Sequence, residues 1–153
     1  MVTKKIPQTG EGKRGEQGYL GYLLRQATTA YRARMEKALA KLNITPPQFS
    51  VLTMIAAYEG ISNADLARLS LLTPQTVSVI VTNLEKSGAI TRHAHAVHGR
   101  IQQLHITATG QETLALCKSC VKEVEKELNM SLSDEEAGIV KRWLVSIAVN
   151  AES

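Results

Sequence analysis

The segment from Ser62 to Thr107 constrains the fold of this chain more than any other stretch. It contains a short amphipathic stretch, a break, a second helix start at Thr73-Pro74, and two strand-like runs around a glycine-containing turn. Threonine caps a helix and proline fits its first turn, while alternating apolar residues such as Leu104 and Ile106 are typical of a strand. This order predicts a winged helix-turn-helix, a motif that holds one helix in the DNA major groove.

Caps and apolar periodicity predict the neighbouring short elements. A helix begins at Thr45, and the next one is expected to bury Leu66 and Leu69. The two strands of the wing are predicted over residues 89–93 and 101–106.

Long amphipathic helices flank this segment. Apolar residues recur at helical spacing from about residue 18 to residue 43, and two further helices begin at Thr107 or Thr109 and at Ser133. The apolar stripe of the first helix is continuous enough to pack on other long helices, either within the chain or from a second subunit. The last helix is predicted to bury four large side chains, namely Val140, Trp143, Leu144 and Ile147.

Composition limits the classes of function. The 153 residues carry a formal charge of +4, and 44% are hydrophobic, as in an ordinary soluble protein. The positive excess fits a nucleic-acid partner without proving one. No apolar run approaches the roughly 20 residues that span a bilayer, and no signal-peptide core follows the N-terminal lysines. We therefore expect a cytoplasmic protein without a membrane partner.

The sequence does not predict an enzyme. It contains no Ser-His-Asp set, no glycine-rich phosphate loop and no carboxylate pair at a plausible cleft, so no catalytic residue and no cofactor is assigned. An alternative class is a protein-interaction module that uses the winged helix without specific DNA binding. The helix that begins at Thr73 carries no positive charge before Lys86, and this feature favours that alternative.

The chain resembles transcription factors of the multiple antibiotic resistance regulator (MarR) family. The resemblance covers residues 18–148, and the matching segments are LNITPPQF at 42–49, TPQTV at 73–77, LEKSGAITR at 84–92 and RIQQLHITATG at 100–110. It implies a homodimer that binds double-stranded DNA at a palindromic operator, in most relatives as a repressor. It also implies release of the DNA by a small phenolic or aromatic effector, or by an oxidant.

With this resemblance, the predicted fold class is mainly α with a small two-stranded wing, a winged helix-turn-helix plus a long-helix dimerisation region. We expect a flexible basic tail over residues 1–16 and a single domain over 17–150. The winged helix-turn-helix spans about 45–107, and the dimerisation helices span about 18–43 and 108–150.

The predicted DNA contacts lie on the helix that begins at Thr73 and on the wing. The helix N-terminus offers backbone N–H groups to a phosphate, and glutamine or threonine side chains read base edges. The resemblance assigns a wing-tip arginine to the minor groove, where narrow A·T stretches concentrate negative potential. The predicted contacts are Thr73, Pro74, Gln75, Thr76, Ser78, Val79, Thr82, Asn83, Arg92, His98 and Arg100.

The wing departs from the family pattern. Family tips usually read Asp-x-Arg, whereas this one reads His98-Gly99-Arg100. The missing aspartate removes a carboxylate that holds the wing arginines in relatives. Arg92 has a second predicted role, because this position borders the effector site in relatives.

The predicted effector site combines arginine side chains with apolar walls, which suits an aromatic carboxylate. Its candidate residues are Arg25, Tyr31, Met35 and Arg92.

Two further alternatives concern sensing. The four histidines, which are His93, His95, His98 and His105, all lie in the wing, where they would bind a metal or gain charge below about pH 6.5. No nearby carboxylate or cysteine completes a tetrahedral set, so no metal ligand is assigned. A redox-responsive regulator is the other alternative: Cys117 is predicted to lie in the core, and Cys120 is better placed to react.

We predict that DNA binding weakens less steeply with salt than in an arginine-rich relative. Relatives often carry arginine or aspartate at the positions of Val79, Thr82 and Asn83, whereas this helix has no cation before Lys86. Each neutralised phosphate contributes about 0.9 to the slope of log K against log salt concentration. Anisotropy titrations over a salt series measure the slope, and one typical of about ten phosphate contacts would contradict the prediction.

Overall fold

The computed structural model describes residues 5–152 and consists mainly of helices with one small sheet. The elements are α1 (Leu20–Leu39), α2 (Pro46–Ala57), α3 (Asn63–Ser70), α4 (Pro74–Lys86), β1 (Ile90–Ala94), β2 (Gln102–Ile106), α5 (Ala108–Asn129) and α6 (Asp134–Ala151), with 3-10 turns at Gly12–Arg14 and Ala40–Leu42. This order confirms the predicted fold class, mainly α with a two-stranded wing.

The residues before α1 form turns that rest on its first half. Arg14 Nη1 donates a hydrogen bond to the Pro7 carbonyl oxygen at 2.9 Å, and Gln26 Nε2 donates to the Arg14 carbonyl oxygen at 3.3 Å. Residues 1–4 of the predicted tail lie outside the described residues. The flexibility of the tail and the domain limits stay predictions.

The helix starts predicted from sequence are confirmed by their caps. Thr45 with Gln48, and Ser133 with Glu136, form complete capping boxes. α5 begins after Thr107 rather than Thr109. The Thr107 hydroxyl accepts the Gly110 N–H at 3.1 Å and donates to the Gly88 carbonyl oxygen at 2.6 Å, so the cap also ties α5 to the end of α4.

The core of the winged domain lies between α2, α3, α4, the wing and the start of α5. Leu52, Leu66, Val77 and Leu104 are almost completely buried in it. The prediction that α3 buries Leu69 is wrong, because that side chain is 40% exposed. The inner face of this short helix instead carries the buried Leu66 and Ala67, and Leu72 packs beneath the turn that follows.

The wing is an antiparallel pair in which Arg92 lies opposite Leu104 and His93 opposite Gln103. β1 begins and ends one residue later than predicted, and β2 begins one residue later. Ile101 therefore lies outside β2, and its side chain is half exposed. Ile61 adds a bridge on the other edge of β2: the Leu104 N–H donates to the Ile61 carbonyl oxygen, and the Leu104 carbonyl oxygen accepts the Gly60 N–H, each at 3.0 Å. A single bridging residue has no periodicity, so no sequence pattern predicted it.

α1 and α5 pack on each other beside the winged domain. Met35 and Leu39 of α1 form a second buried cluster with Cys117, Val121 and Val124 of α5. This packing confirms the predicted apolar stripes only along the second half of α1 and the middle of α5. Leu20, at the start of α1, and Leu128, near the end of α5, are exposed.

α6 departs most from the prediction. Trp143 is 38% exposed and Leu144 is 43% exposed, and no described residue of this helix is buried. The prediction that α6 buries Val140, Trp143, Leu144 and Ile147 is therefore wrong for the single chain, because the other elements hardly touch this helix. No helix within residues 5–152 is long and apolar enough to cross a bilayer.

We predict that Gly110→Ala destabilises the protein by about 1–3 kcal/mol through overpacking. A Cβ at this position would collide with the Ala89 carbonyl oxygen and lie 2.7 Å from Cγ1 of Ile106. Gly21→Ala is the matched control, because the added methyl meets open space in a helix and alanine is favoured there by up to about 1 kcal/mol. Thermal unfolding at one protein concentration measures both, and equal melting temperatures for the two variants would contradict the prediction.

Candidate nucleic-acid interface

The N-terminus of α4 is exposed and has a well-formed cap. Thr73 Oγ1 accepts the Thr76 backbone N–H at 3.2 Å and donates to the Thr76 hydroxyl at 2.9 Å. Pro74 occupies the first helical position, where no N–H is needed. The first turn of a helix carries the positive end of its dipole and N–H groups without intrahelical acceptors. This end of α4 is therefore suited to a phosphate.

The two faces of α4 differ sharply in burial. Val77, Ile80 and Val81 point into the core. On the opposite side the predicted contact residues are exposed, and Val79 is 61% exposed. The exposed members of the predicted set on this helix are Pro74, Gln75, Thr76, Ser78, Val79 and Asn83. The burial of one face thus leaves an uncharged polar surface with one apolar side chain available to a ligand.

Thr82 and Arg92 differ from the rest of the predicted set, because each is partly buried and bonded to other residues of the chain. Arg92 Nη2 donates to Thr82 Oγ1 at 3.1 Å, and Nη1 donates to Gln102 Oε1 at 3.4 Å. Its Nε lies 3.2 Å from Glu85 Oε2, within ion-pair range but outside hydrogen-bond alignment. We call Thr82, Glu85, Arg92 and Gln102 the Arg92 cluster.

The wing tip is shaped by His95, which the sequence did not single out for this role. Its Nδ1 accepts the backbone N–H groups of Val97 and His98 at 3.1 and 3.0 Å. The His95 backbone N–H donates to the Ile101 carbonyl oxygen at 2.8 Å, and this hydrogen bond closes the loop. A polar side chain that bonds the backbone two and three residues ahead is the signal that could have identified this turn.

Arg100 is the exposed cation of this tip. Within residues 5–152 no carboxylate forms an ion pair with it, in contrast to Arg92. The tip therefore presents Arg100 and the exposed His98 to solvent on a loop whose shape is set by backbone hydrogen bonds. The assignment of both residues as DNA contacts stays a prediction.

The histidines form two pairs. The ring centroids of His93 and His105 lie 5.1 Å apart in an edge-to-face arrangement, and those of His95 and His98 lie 5.4 Å apart. His93 Nε2 is also 3.0 Å from the Thr91 hydroxyl. In the described part of the chain no group of three or more histidine, cysteine, aspartate or glutamate side chains is arranged to hold a metal ion.

The structure brings only two of the four predicted effector residues, Tyr31 and Met35, into one cluster. Met35 is buried among the α1 and α5 side chains, Arg25 is exposed, and Arg92 belongs to the wing. Tyr31 is half-buried against the same α1–α5 cluster, and its pKa is raised by burial and by the nearby Glu125 carboxylate. The effector assignment of these four residues stays a prediction.

Both cysteines are free thiols on α5. Cys117 is completely buried, and its pKa is raised by that burial and by Cys120. A raised pKa lowers the fraction of reactive thiolate at neutral pH, as expected for a packing residue. Cys120 is half-buried at the edge of a cavity between α1 and α5 that Arg34, Lys37 and Lys41 also line.

The fold and its exposed recognition helix define a winged helix-turn-helix protein. The sequence model of the MarR family matches residues 44–101. The HTH-type transcriptional repressor Rv2887 of Mycobacterium tuberculosis is 31% identical over 125 residues, which cover 82% of this chain and 90% of the relative. This chain therefore belongs to the MarR family.

Solved structures agree with that assignment. The MarR family protein Rv2887 of Mycobacterium tuberculosis, in complex with salicylic acid, is 30% identical with a TM-score of 0.67, covering 86% of this chain and 98% of that one. The MepR–DNA complex from S. aureus is 26% identical with a TM-score of 0.78, again covering 86% and 98%. The predicted MarR resemblance is confirmed.

Proposed function

We propose that this protein is a homodimeric repressor that binds a palindromic operator through α4 and the wing tip, and that a small aromatic ligand releases it. The observation that carries the proposal is the free outer face of α4. Three buried apolar residues hold the helix, and its capped N-terminus and exposed polar side chains are left without partners in the core. A surface of this chemistry fits DNA bases and phosphates.

The DNA contacts have different roles in this proposal. Gln75, Thr76 and Ser78 read base edges near the N-terminus of α4, and Val79 contacts a thymine methyl. Arg100 enters the minor groove, supplying charge that α4 lacks. The MepR structure, which contains DNA, supports this mode because its fold matches over most of both chains.

The apolar face of α6 supports the homodimer. Val140, Trp143, Leu144 and Ile147 lie at helical spacing and are between 37% and 43% exposed. Large apolar side chains grouped on one face of an otherwise soluble domain mark an interface. We propose that a second copy covers this face together with the exposed start of α1, where Leu20 is 67% exposed. Two-fold symmetry of the dimer then explains why a palindrome is the expected operator.

The effector class follows from the relative Rv2887, whose structure contains salicylic acid. We propose an aromatic carboxylate or phenol of similar size as the releasing ligand. The salicylic acid in the structure of this relative favours this ligand class over the metal and redox alternatives. A redox response would depend on Cys120, the more accessible of the two thiols. The family consists of transcription regulators, so we propose no enzymatic activity, and we infer that the protein acts in the cytoplasm.

We predict that the wild-type protein protects a palindrome of roughly 16–20 bp whose half-sites lie about one helical turn apart. Arg100→Gln should weaken binding about tenfold and lower the salt slope by about 0.9, because one charged contact is lost. Salicylate should release the complex. Footprinting and anisotropy titrations on the upstream region of the gene measure all three.

Lys118→Gln is the matched control for Arg100→Gln. It removes one positive charge from the exposed surface of α5, away from the wing, and should leave the salt slope unchanged. Wild-type protein that protects no sequence, and binds all DNA with heparin-sensitive affinity only, would contradict the proposed function.

We predict that Leu144→Asp converts the dimer to monomers at micromolar concentration. By symmetry the change places two uncompensated carboxylates in the interface, each costing several kcal/mol. Light scattering after size-exclusion chromatography measures the mass, and Arg142→Asp, on the side of α6 opposite Leu144, is the control. A monomeric wild type, or a dimeric Leu144→Asp, would show that α6 is not the interface.

A further inference from the structure

Arg92 is held by side chains from two other elements, α4 and β2. Thr82 and Glu85 lie one turn apart on α4, Arg92 itself is on β1, and Gln102 begins β2. The distances from the guanidinium nitrogens are 3.1 Å to Thr82 Oγ1, 3.2 Å to Glu85 Oε2 and 3.4 Å to Gln102 Oε1. The Arg92 cluster thus connects the recognition helix to both strands of the wing.

This geometry directs the Arg92 side chain toward the protein rather than toward solvent. Each of its three guanidinium nitrogens has an oxygen partner in the chain, its Nε is shielded from solvent, and its side chain is only 23% exposed. Arg100, by contrast, is exposed and has no carboxylate partner within residues 5–152. The two wing arginines therefore differ in what they can do for a nucleic acid.

We propose that Arg92 is a positioning residue, which fixes the wing against α4 so that Arg100 and the N-terminus of α4 engage DNA together. Glu85 supplies the charge partner that Asp-x-Arg wings obtain from their own tip. The inference rests on the proposed DNA-binding function and deepens it. In this proposal Arg92 does not contact DNA directly. It acts on DNA binding through Arg100 and the N-terminus of α4.

The Arg92 cluster extends to the base of the loop that carries Arg100. Gln102 lies two residues from Arg100, and the closing hydrogen bond of the tip runs to the carbonyl of the intervening Ile101. On the helix side, Thr82 and Glu85 follow Val81, which is completely buried. The cluster therefore joins a rigidly packed point on α4 to the base of the loop that carries Arg100, and loss of the cluster leaves the loop free to pivot.

The direction in which one substitution changes DNA affinity distinguishes a positioning role from simple electrostatics. Glu85→Gln removes a negative charge beside the DNA-binding surface, so electrostatics alone predicts tighter DNA binding. Our proposal predicts the opposite, a loss of about tenfold, because the Arg92 guanidinium loses its ion-pair partner and the wing loses its orientation. The salt slope should stay at the wild-type value, since no phosphate contact is removed.

Variants of Arg92 provide the second test. Arg92→Gln and Arg92→Lys should both lose affinity to the same extent as Glu85→Gln, because lysine keeps the charge but not the planar fork that reaches three oxygens. The double variant Glu85→Gln/Arg92→Gln should be no weaker than either single one. Glu123→Gln is the control: it breaks a surface pair with Lys126, 4.0 Å long, on α5 and should not weaken binding.

The experiment is anisotropy titration of the full-length variants with the protected operator fragment over a salt series, with thermal unfolding of each variant. A cluster that only stabilises the fold would lower the melting temperature without coupling the two residues in affinity. If the wild type binds specifically, either of two results would overturn the positioning role alone. One is a Glu85→Gln variant that binds as tightly as the wild type or more tightly. The other is an Arg92→Lys variant that binds like the wild type. Absence of specific binding by the wild type would instead overturn the proposed function.

Discussion

The burial of one face of α4 is the interaction on which the rest of this structure depends. Val77, Ile80 and Val81 lie in the core with Ile90 and Leu104, and each contributes about 1.5–3 kcal/mol by leaving water. This packing fixes both the depth and the rotation of the helix. The opposite face is then presented to solvent, apart from Thr82 and Glu85, which contact Arg92. A helix fixed in this way can bring short polar side chains to base edges.

The two arginines of the wing, Arg92 and Arg100, have different surroundings. Arg92 is turned inward and neutralised by Glu85, while Arg100 stands on a loop shaped by His95. The family device for holding wing arginines, an aspartate at the tip, is absent here, and a carboxylate of α4 stands near Arg92 instead. The carboxylate beside Arg92 therefore lies on the packed helix α4 rather than at the wing tip, and in our proposal it couples the orientation of the wing to that of α4.

The flanking helices α1, α5 and α6 pack only in part on the rest of the chain. Thr107 and Gly110 join α5 to the end of α4 at a close approach that admits no side chain, and the middle of α5 packs on α1. Beyond that point apolar side chains of α6, such as Trp143 and Leu144, are exposed. A core that is complete around the wing while apolar residues of α6 stay exposed supports the proposed homodimer.

The sequence by itself determined the elements and their order, because caps, prolines and apolar period act over a few residues. Thr45, Thr73 and Ser133 mark helix starts that the structure reproduces. It also identified the outer face of α4, since the inner face follows from its period. Only the tertiary structure decided what depends on residues far apart in sequence: the bridge of Ile61 to β2, the exposure of α6, and the partners of Arg92. An arginine looks the same in sequence whether it faces a groove or a glutamate seven residues earlier, and only packing sets its direction.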